Sequence, residues 1–102
     1  MKIPENFEAA IDWFFIHAEG INDLLDGKSE EEFLCDAELK YGRWVRNSWG
    51  LWTGNSALAF WFFSLGVNHP DDMSMMIFTS LYRKYYNKKR KLFEATAGFA
   101  PA

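Results

Sequence analysis

Residues 57–65 read Ala-Leu-Ala-Phe-Trp-Phe-Phe-Ser-Leu, a stretch apolar on every side of a helix. A helix of that kind needs neighbours all round, so it dictates the rest of the chain. The spacing predicts that it is central, capped by Ser56 at its start. Gly66 supplies a left-handed stop, with Val67 behind it as the apolar contact. The remaining segments must then be helices with one apolar face each.

The rest of the sequence meets that demand. Pro4 suits the first turn of a helix, and Glu5 and Glu8 favour its positive end. Phe7, Ile11, Phe14, Phe15 and Ala18 then recur at helical spacing, while His17 reads as a packed residue of the same helix. Gly20 is the expected stop. A short segment from Ile21 to Leu25 runs into the turn pair Asp26-Gly27. Ser29 and Glu32 have the spacing of a capping box, which starts a helix carrying Phe33 and Leu34 inward. From Ala37 to about Trp49 the pattern stays helical, with Val45, Trp49 and Trp52 on one side. Arg43, Arg46, Asn47 and Gly50 lie on another. After His69-Pro70, a last helix with Asp71 as N-cap carries an inner stripe of Met73, Met76, Ile77, Ser80 and Leu81. Phe78, Tyr82 and Tyr86 lie round its side, and a frayed tail is expected from Ala95. No segment alternates with a period of two. The expected fold is all-α: one compact domain over 1–102, a bundle of four or five helices with an aromatic core.

Composition sharpens this picture at two points. Ten Phe, five Trp and four Tyr in 102 residues predict a core built from rings, a stacking surface, or both. Charge is divided along the chain. Residues 1–38 carry eleven acids against two bases, a net of −9, and residues 39–102 carry nine bases against three acids, a net of +6. With a pI near 5.3 overall, the chain lacks the basic character of a nucleic-acid binder. The acidic half is expected to lie against the basic half, or copies to pair head to tail as a homo-oligomer. One cysteine, Cys35, excludes an internal disulfide and a cysteine-based zinc site, and no cofactor or metal is implied. The acidic start is no signal peptide, and the longest apolar window falls well short of the ~20 residues of a membrane span. The expected location is cytoplasmic.

Two motifs stand in the middle of the chain. Tyr41-Gly42-Arg43-Trp44-Val45-Arg46-Asn47-Ser48-Trp49-Gly50-Leu51-Trp52 is followed, beyond the apolar helix, by His69-Pro70-Asp71-Asp72-Met73-Ser74. Together they resemble a small bacterial domain family without assigned function, with the pattern G-x-W-[IV]-R-N-x-W-x-L-W and then H-P-D-D-M-S. The resemblance runs from Tyr41 to about Arg83. It departs at Met75 and Met76, where a glycine and an aliphatic residue are expected, and it leaves the acidic N-terminal third outside. It implies an all-helical fold and lends no activity.

Function must then come from the residues. Arg43, Arg46 and Asn47 share a helical face beside Trp44. Guanidinium groups recognise carboxylate or phosphate, and indole stacks on a base-like ring. With His69 and Asp72 they form the expected ligand-binding set. The first expectation is a non-enzymatic protein that sequesters an anionic, nucleotide-like small molecule. By analogy such a short acidic domain resembles a phage or mobile-element inhibitor of bacterial defence signalling. The alternative reading of the same residues pairs Arg46 with Asp71 or Asp72 and leaves the rings in the core. The charge division and surplus aromatics motivate a second class, an adaptor or inhibitor that binds a host protein. A third is a small hydrolase using His69 with Asp71 or Asp72. No nucleophile elbow, phosphate loop or zinc-protease helix is present, so no catalytic residue is assigned.

Overall fold

The computed structural model describes residues 2–97, with side chains through Glu94. Six α-helical segments follow in order: α1 (Phe7–His17), α2 (Ile21–Leu25), α3 (Glu30–Ala37), α4 (Arg43–Ser48), α5 (Ala57–Ser64) and α6 (Pro70–Ala97). A π-helical turn, Glu38–Gly42, joins α3 to α4 without a break in helical backbone, so the two form one long rod. Among the described residues there is no strand, and the chain is all-α as expected. No described helix is long and apolar enough to cross a membrane.

The local signals explain most boundaries. Asn6, not Pro4, starts α1: its side chain accepts from the Ala9 N–H at 2.8 Å, so the helix begins one turn later than the proline suggests. The capping box at Ser29 and Glu32 forms with both bonds in place. Gly66, at φ 79°, closes α5 in a Schellman turn. There the Val67 and Gly66 N–H groups donate to the carbonyls of Phe62 and Phe63. Gly50, at φ 68°, ends α4 in the same left-handed way, with Leu51 N–H donating to Arg46 O.

The core lies between α1, the α3–α4 rod and the first half of α6. Phe14, Phe33, Trp49, Phe62, Met73, Ile77, Phe78 and Leu81 are fully buried in it. Phe78, expected at the side of α6, stands edge-on to Phe14 in the centre, 5.7 Å between ring centroids. One expectation is overturned. Helix α5 is not central: Leu58, Ala59 and Phe62 are buried, but Phe60 and Phe63 on its other side face solvent. The 28-residue helix α6 takes the central place instead, bordered by α1, α3, the π-helical turn and α4. At ~1.5 Å per residue it is also long enough to overrun the body, and the molecule measures 57 × 25 × 25 Å. Its helix reaches Ala97, so the fraying expected from Ala95 does not begin there; beyond Ala97 the tail lies outside the described residues.

The divided charge closes within the chain. Lys84 Nζ lies 2.6 Å from Glu8 and 2.7 Å from Asp12, Arg83 Nε lies 2.8 Å from Glu30, and Lys89 Nζ lies 2.8 Å from Asp26. Three tyrosines of α6 hold the α2–α3 turn. Tyr86 donates to Leu25 O at 2.6 Å, Tyr82 to Lys28 O at 2.7 Å, and Tyr85 to the Asp26 carboxylate.

These contacts set a pH window. The Lys89 hydrogen bond, then that of Tyr85, hold the Asp26 carboxyl below its usual range. Its contribution is therefore present above about pH 4 and is lost as the pH falls through the lowered value. Asp12 and then Glu8 raise Lys84, and Asp26 raises Lys89 and Tyr85. Those contributions hold below about pH 10 and fade as the pH rises through the raised values. Melting temperature against pH should be flat from about 5 to 9 and fall on both sides. Lys84→Met should shallow the alkaline fall. An unchanged alkaline limb would remove Lys84 from this account.

Candidate functional site

The two sequence motifs meet at the N-terminus of α6, in an ionic junction around Arg46. Its side chain is only 16% exposed. Nη1 lies 2.7 Å from Glu38 Oε2 and 3.1 Å from the Ser74 hydroxyl, which in turn donates to Glu38 Oε1 at 2.8 Å. Nε lies 3.3 Å from Asp71 Oδ1. The π-helical turn makes this geometry: its extra residue swings Glu38 onto the face that meets α6. Gly42 leaves the room, because a Cβ there would stand 2.5 Å from Glu38 Oε2 and 2.8 Å from Arg46 Nη1. Arg46, Gly42, Asp71 and Ser74 thus fasten the α3–α4 rod to α6.

The assignments at the head of α6 change accordingly. Asp71 is not the N-cap; Pro70 opens the helix and His69 caps it, its Nδ1 accepting from the Asp71 N–H at 3.1 Å. The partner of Arg46 is Asp71, with Glu38, and not Asp72. Asp72 is exposed and has no hydrogen bond or ion pair among the described residues. Asp71→Asn should therefore cost up to about 1 kcal/mol, since the pair is half open to solvent, and Asp72→Asn should stay within about 0.5 kcal/mol. Thermal melts that rank Asp72→Asn as the worse would reverse this assignment.

The six residues expected to bind a ligand separate into groups. Trp44 packs toward α1, its ring 5.0 Å from Trp13 and 5.7 Å from Trp49. Arg46 and His69 belong to the junction and its cap. Arg43 and Asn47 are exposed on α4, one turn apart, without a side-chain partner among the described residues. Among the described residues, no cluster of three or more His, Cys, Asp or Glu side chains has the arrangement of a metal site.

One motif residue stands away from the helical side on which its spacing set it. Trp52 is 55% exposed, and its indole stands 5.7 Å from the His69 ring. It follows the left-handed Gly50, so the helical period that put it beside Val45 and Trp49 no longer applies. The Phe63 ring lies over Gly54 of the same loop, where a Cβ would come within 3.1 Å of it, and Phe60 packs edge-on to Phe63 at 6.2 Å. Phe60 is 62% exposed. Phe60 and Phe63 on α5, with Trp52 on the loop before it, make an uncharged aromatic face.

The model of DUF6794, a domain of unknown function, matches residues 3–85. The chain belongs to this family. The DUF6794 domain therefore takes in α1 to α3 as well, which the motif resemblance had left outside. The physical reason is visible in the contacts: α1, α2 and α3 supply the carboxylates and carbonyls that the basic and tyrosine residues of α6 require. Neither the curated proteins nor the solved structures give a match.

Proposed function

We propose that this DUF6794 domain is a protein-interaction module whose recognition face is the aromatic surface of α5 with Trp52. The observation that carries the reading is the exposure of Phe60 on a helix that has no charged residue. Large rings left in solvent on a chain with enough apolar residues to fill its core are a feature of contact surfaces. The three rings leave roughly 300 Å² uncovered, at the 150–250 Å² that a whole aromatic residue can bury. That is the size of a central anchor cluster, and somewhat over a third of the roughly 800 Å² that one side of a standard interface covers. A rim of polar groups, with His69 and Asn55 at hand, would complete it. The partner is a protein with an apolar pocket or groove, in the role of adaptor or inhibitor.

Selection of peptides from a random library on the immobilised domain tests this. Binders should carry apolar anchors and shift the amide resonances of α5 and the indole signal of Trp52. Phe60→Asp should abolish that binding while the melting point stays put, because the side chain is not part of the core. Peptides that map instead onto Arg43 and Asn47 would overturn it.

A second reading keeps the anionic, nucleotide-like ligand, and with it the sequestering inhibitor of defence signalling. It is favoured by the free side chains of Arg43 and Asn47, which can still receive an anion. Arg46 is neutralised by two carboxylates, so the site would depend on Arg43. A melting shift on adding nucleotides, lost in Arg43→Ala, is its expected mark.

A further inference from the structure

Where α1 begins, it and the second half of α6 flank an open groove of about 570 Å³. Phe7 and Ile11 of α1 make its apolar wall. Phe7 is half-buried and held in place by the Trp61 ring, stacked on it at 4.8 Å. The opposite wall is basic. Lys84, Lys88 and Lys91 follow one another at helical spacing, so the three share the side of α6 that lines the groove, with Arg83 beside them.

Two of these four cations are engaged inside the fold. Arg83 binds Glu30, and Lys84 binds Asp12 and Glu8. Lys88 and Lys91 have no ion partner among the described residues. Unpaired cations and an apolar wall therefore stand on the same groove, and it suits a partner with carboxylates beside an apolar stripe. Both walls are helices, whose backbone groups are bonded within them, so recognition here runs through side chains and not through a strand edge. The groove follows residues 80–91 of α6, a rise of ~16 Å, or about three turns of a further helix. It is open along that length, whereas a small-molecule site encloses its ligand. Nucleic acid is disfavoured by the carboxylates of Glu8, Asp12 and Glu30 beside the lysines and by the pI near 5.3.

We propose that this groove is a docking site for an acidic amphipathic helix of a partner protein, its apolar stripe against Phe7 and its carboxylates against Lys88 and Lys91. Trp52, Phe60 and Phe63 take no part in it.

The probe is a synthetic helical peptide of about 14 residues, leucines on one side and glutamates flanking them, titrated into the full chain. In low salt it should bind, shift the amide resonances of residues 7–11 and 80–91, and lose affinity as salt is added. Lys88→Glu combined with Lys91→Glu should weaken binding about tenfold or more at an unchanged melting point, since neither lysine has an ion partner to lose among the described residues. The same double variant should gain affinity for a peptide with lysines in place of the glutamates, a rescue that a damaged fold would not give. Phe60→Asp should leave both affinities as they are. A glutamate peptide that fails to bind in low salt, binds the double variant equally well, or shifts α5 instead overturns the proposal. Equal binding by oligoglutamate does so too, because the apolar wall would then add nothing. Tighter binding by single-stranded DNA, or self-association lost in the double variant, would give the groove to a nucleic acid or to a second copy and overturn it as well.

Discussion

Arg46→Ala should lower stability by about 3 kcal/mol, while Arg43→Ala, one turn earlier on the same helix, should change it by less than about 0.5 kcal/mol. The difference follows from what each side chain touches. Arg43 has no partner to lose among the described residues. Removing Arg46, whose side chain is five sixths buried, leaves Glu38 and Ser74 with polar atoms turned into the vacated site, and Asp71 without its counter-charge. Unpairing such a group costs its desolvation, which exceeds the value of the pair itself. For a chain of 102 residues the loss corresponds to a melting point lower by roughly 15 °C. Gly42→Ala gives an independent reading of the same junction. Ala is favoured over Gly within a helix by about 1 kcal/mol, so a site with spare room would be stabilised. Here the new methyl group displaces both ends of the Glu38–Arg46 pair, and a net loss is expected. A stabilised Gly42→Ala, or Arg43→Ala as damaging as Arg46→Ala, would show that the junction does not hold the helices together.

How far the sequence could be read depended on the range of the interactions involved. Caps are local, and Ser29 with Glu32, Ser56 and Gly66 all behave as their spacing implies. Helical stripes are nearly local, so Phe14, Phe33, Met73 and Ile77 were legible as core. The division of charge was legible as a tendency of the two halves to meet, but not as the pairs that form. Lys84 reaches Glu8 across 76 positions, and no periodicity encodes that choice. The π-helical turn was hidden because one inserted residue leaves the composition helical while rotating everything before it; Glu38 consequently went unread as the main partner of Arg46. Helix α5 misled for the opposite reason. Its pattern says that it wants cover on all sides, and it says nothing about whether this chain supplies that cover. Trp52 was misplaced with it, since a left-handed glycine ends the period on which its assignment rested. At the candidate site, the motifs were legible as a constellation of Arg, Trp, His and Asp. Which of them are fasteners and which face outward depends on the fold.

The largest loss is expected at Trp49, at about 4 kcal/mol for Trp49→Ala. The indole is fully buried, and its ring stands between 5.7 Å contacts to Trp13, Phe14 and Trp44. Those neighbours come from α1 and from α4 itself, so truncation opens a cavity where two helices cross and little can move in to fill it. Four kcal/mol is a large part of the 5–15 kcal/mol that a domain has. Trp49→Phe separates the ring from its nitrogen. Nε1 is buried without a hydrogen-bond partner among the described residues, so the wild type already bears the cost of an unmade bond, about 1–3 kcal/mol. Phenylalanine removes that donor together with part of the ring volume, and the two changes oppose each other. Trp49→Phe should therefore cost less than about 2 kcal/mol, under half the loss in Trp49→Ala, and urea melts of the two variants give the ratio. Equal losses would mean that the indole N–H is bonded and that its hydrogen bond, rather than packing, holds α1 against α4.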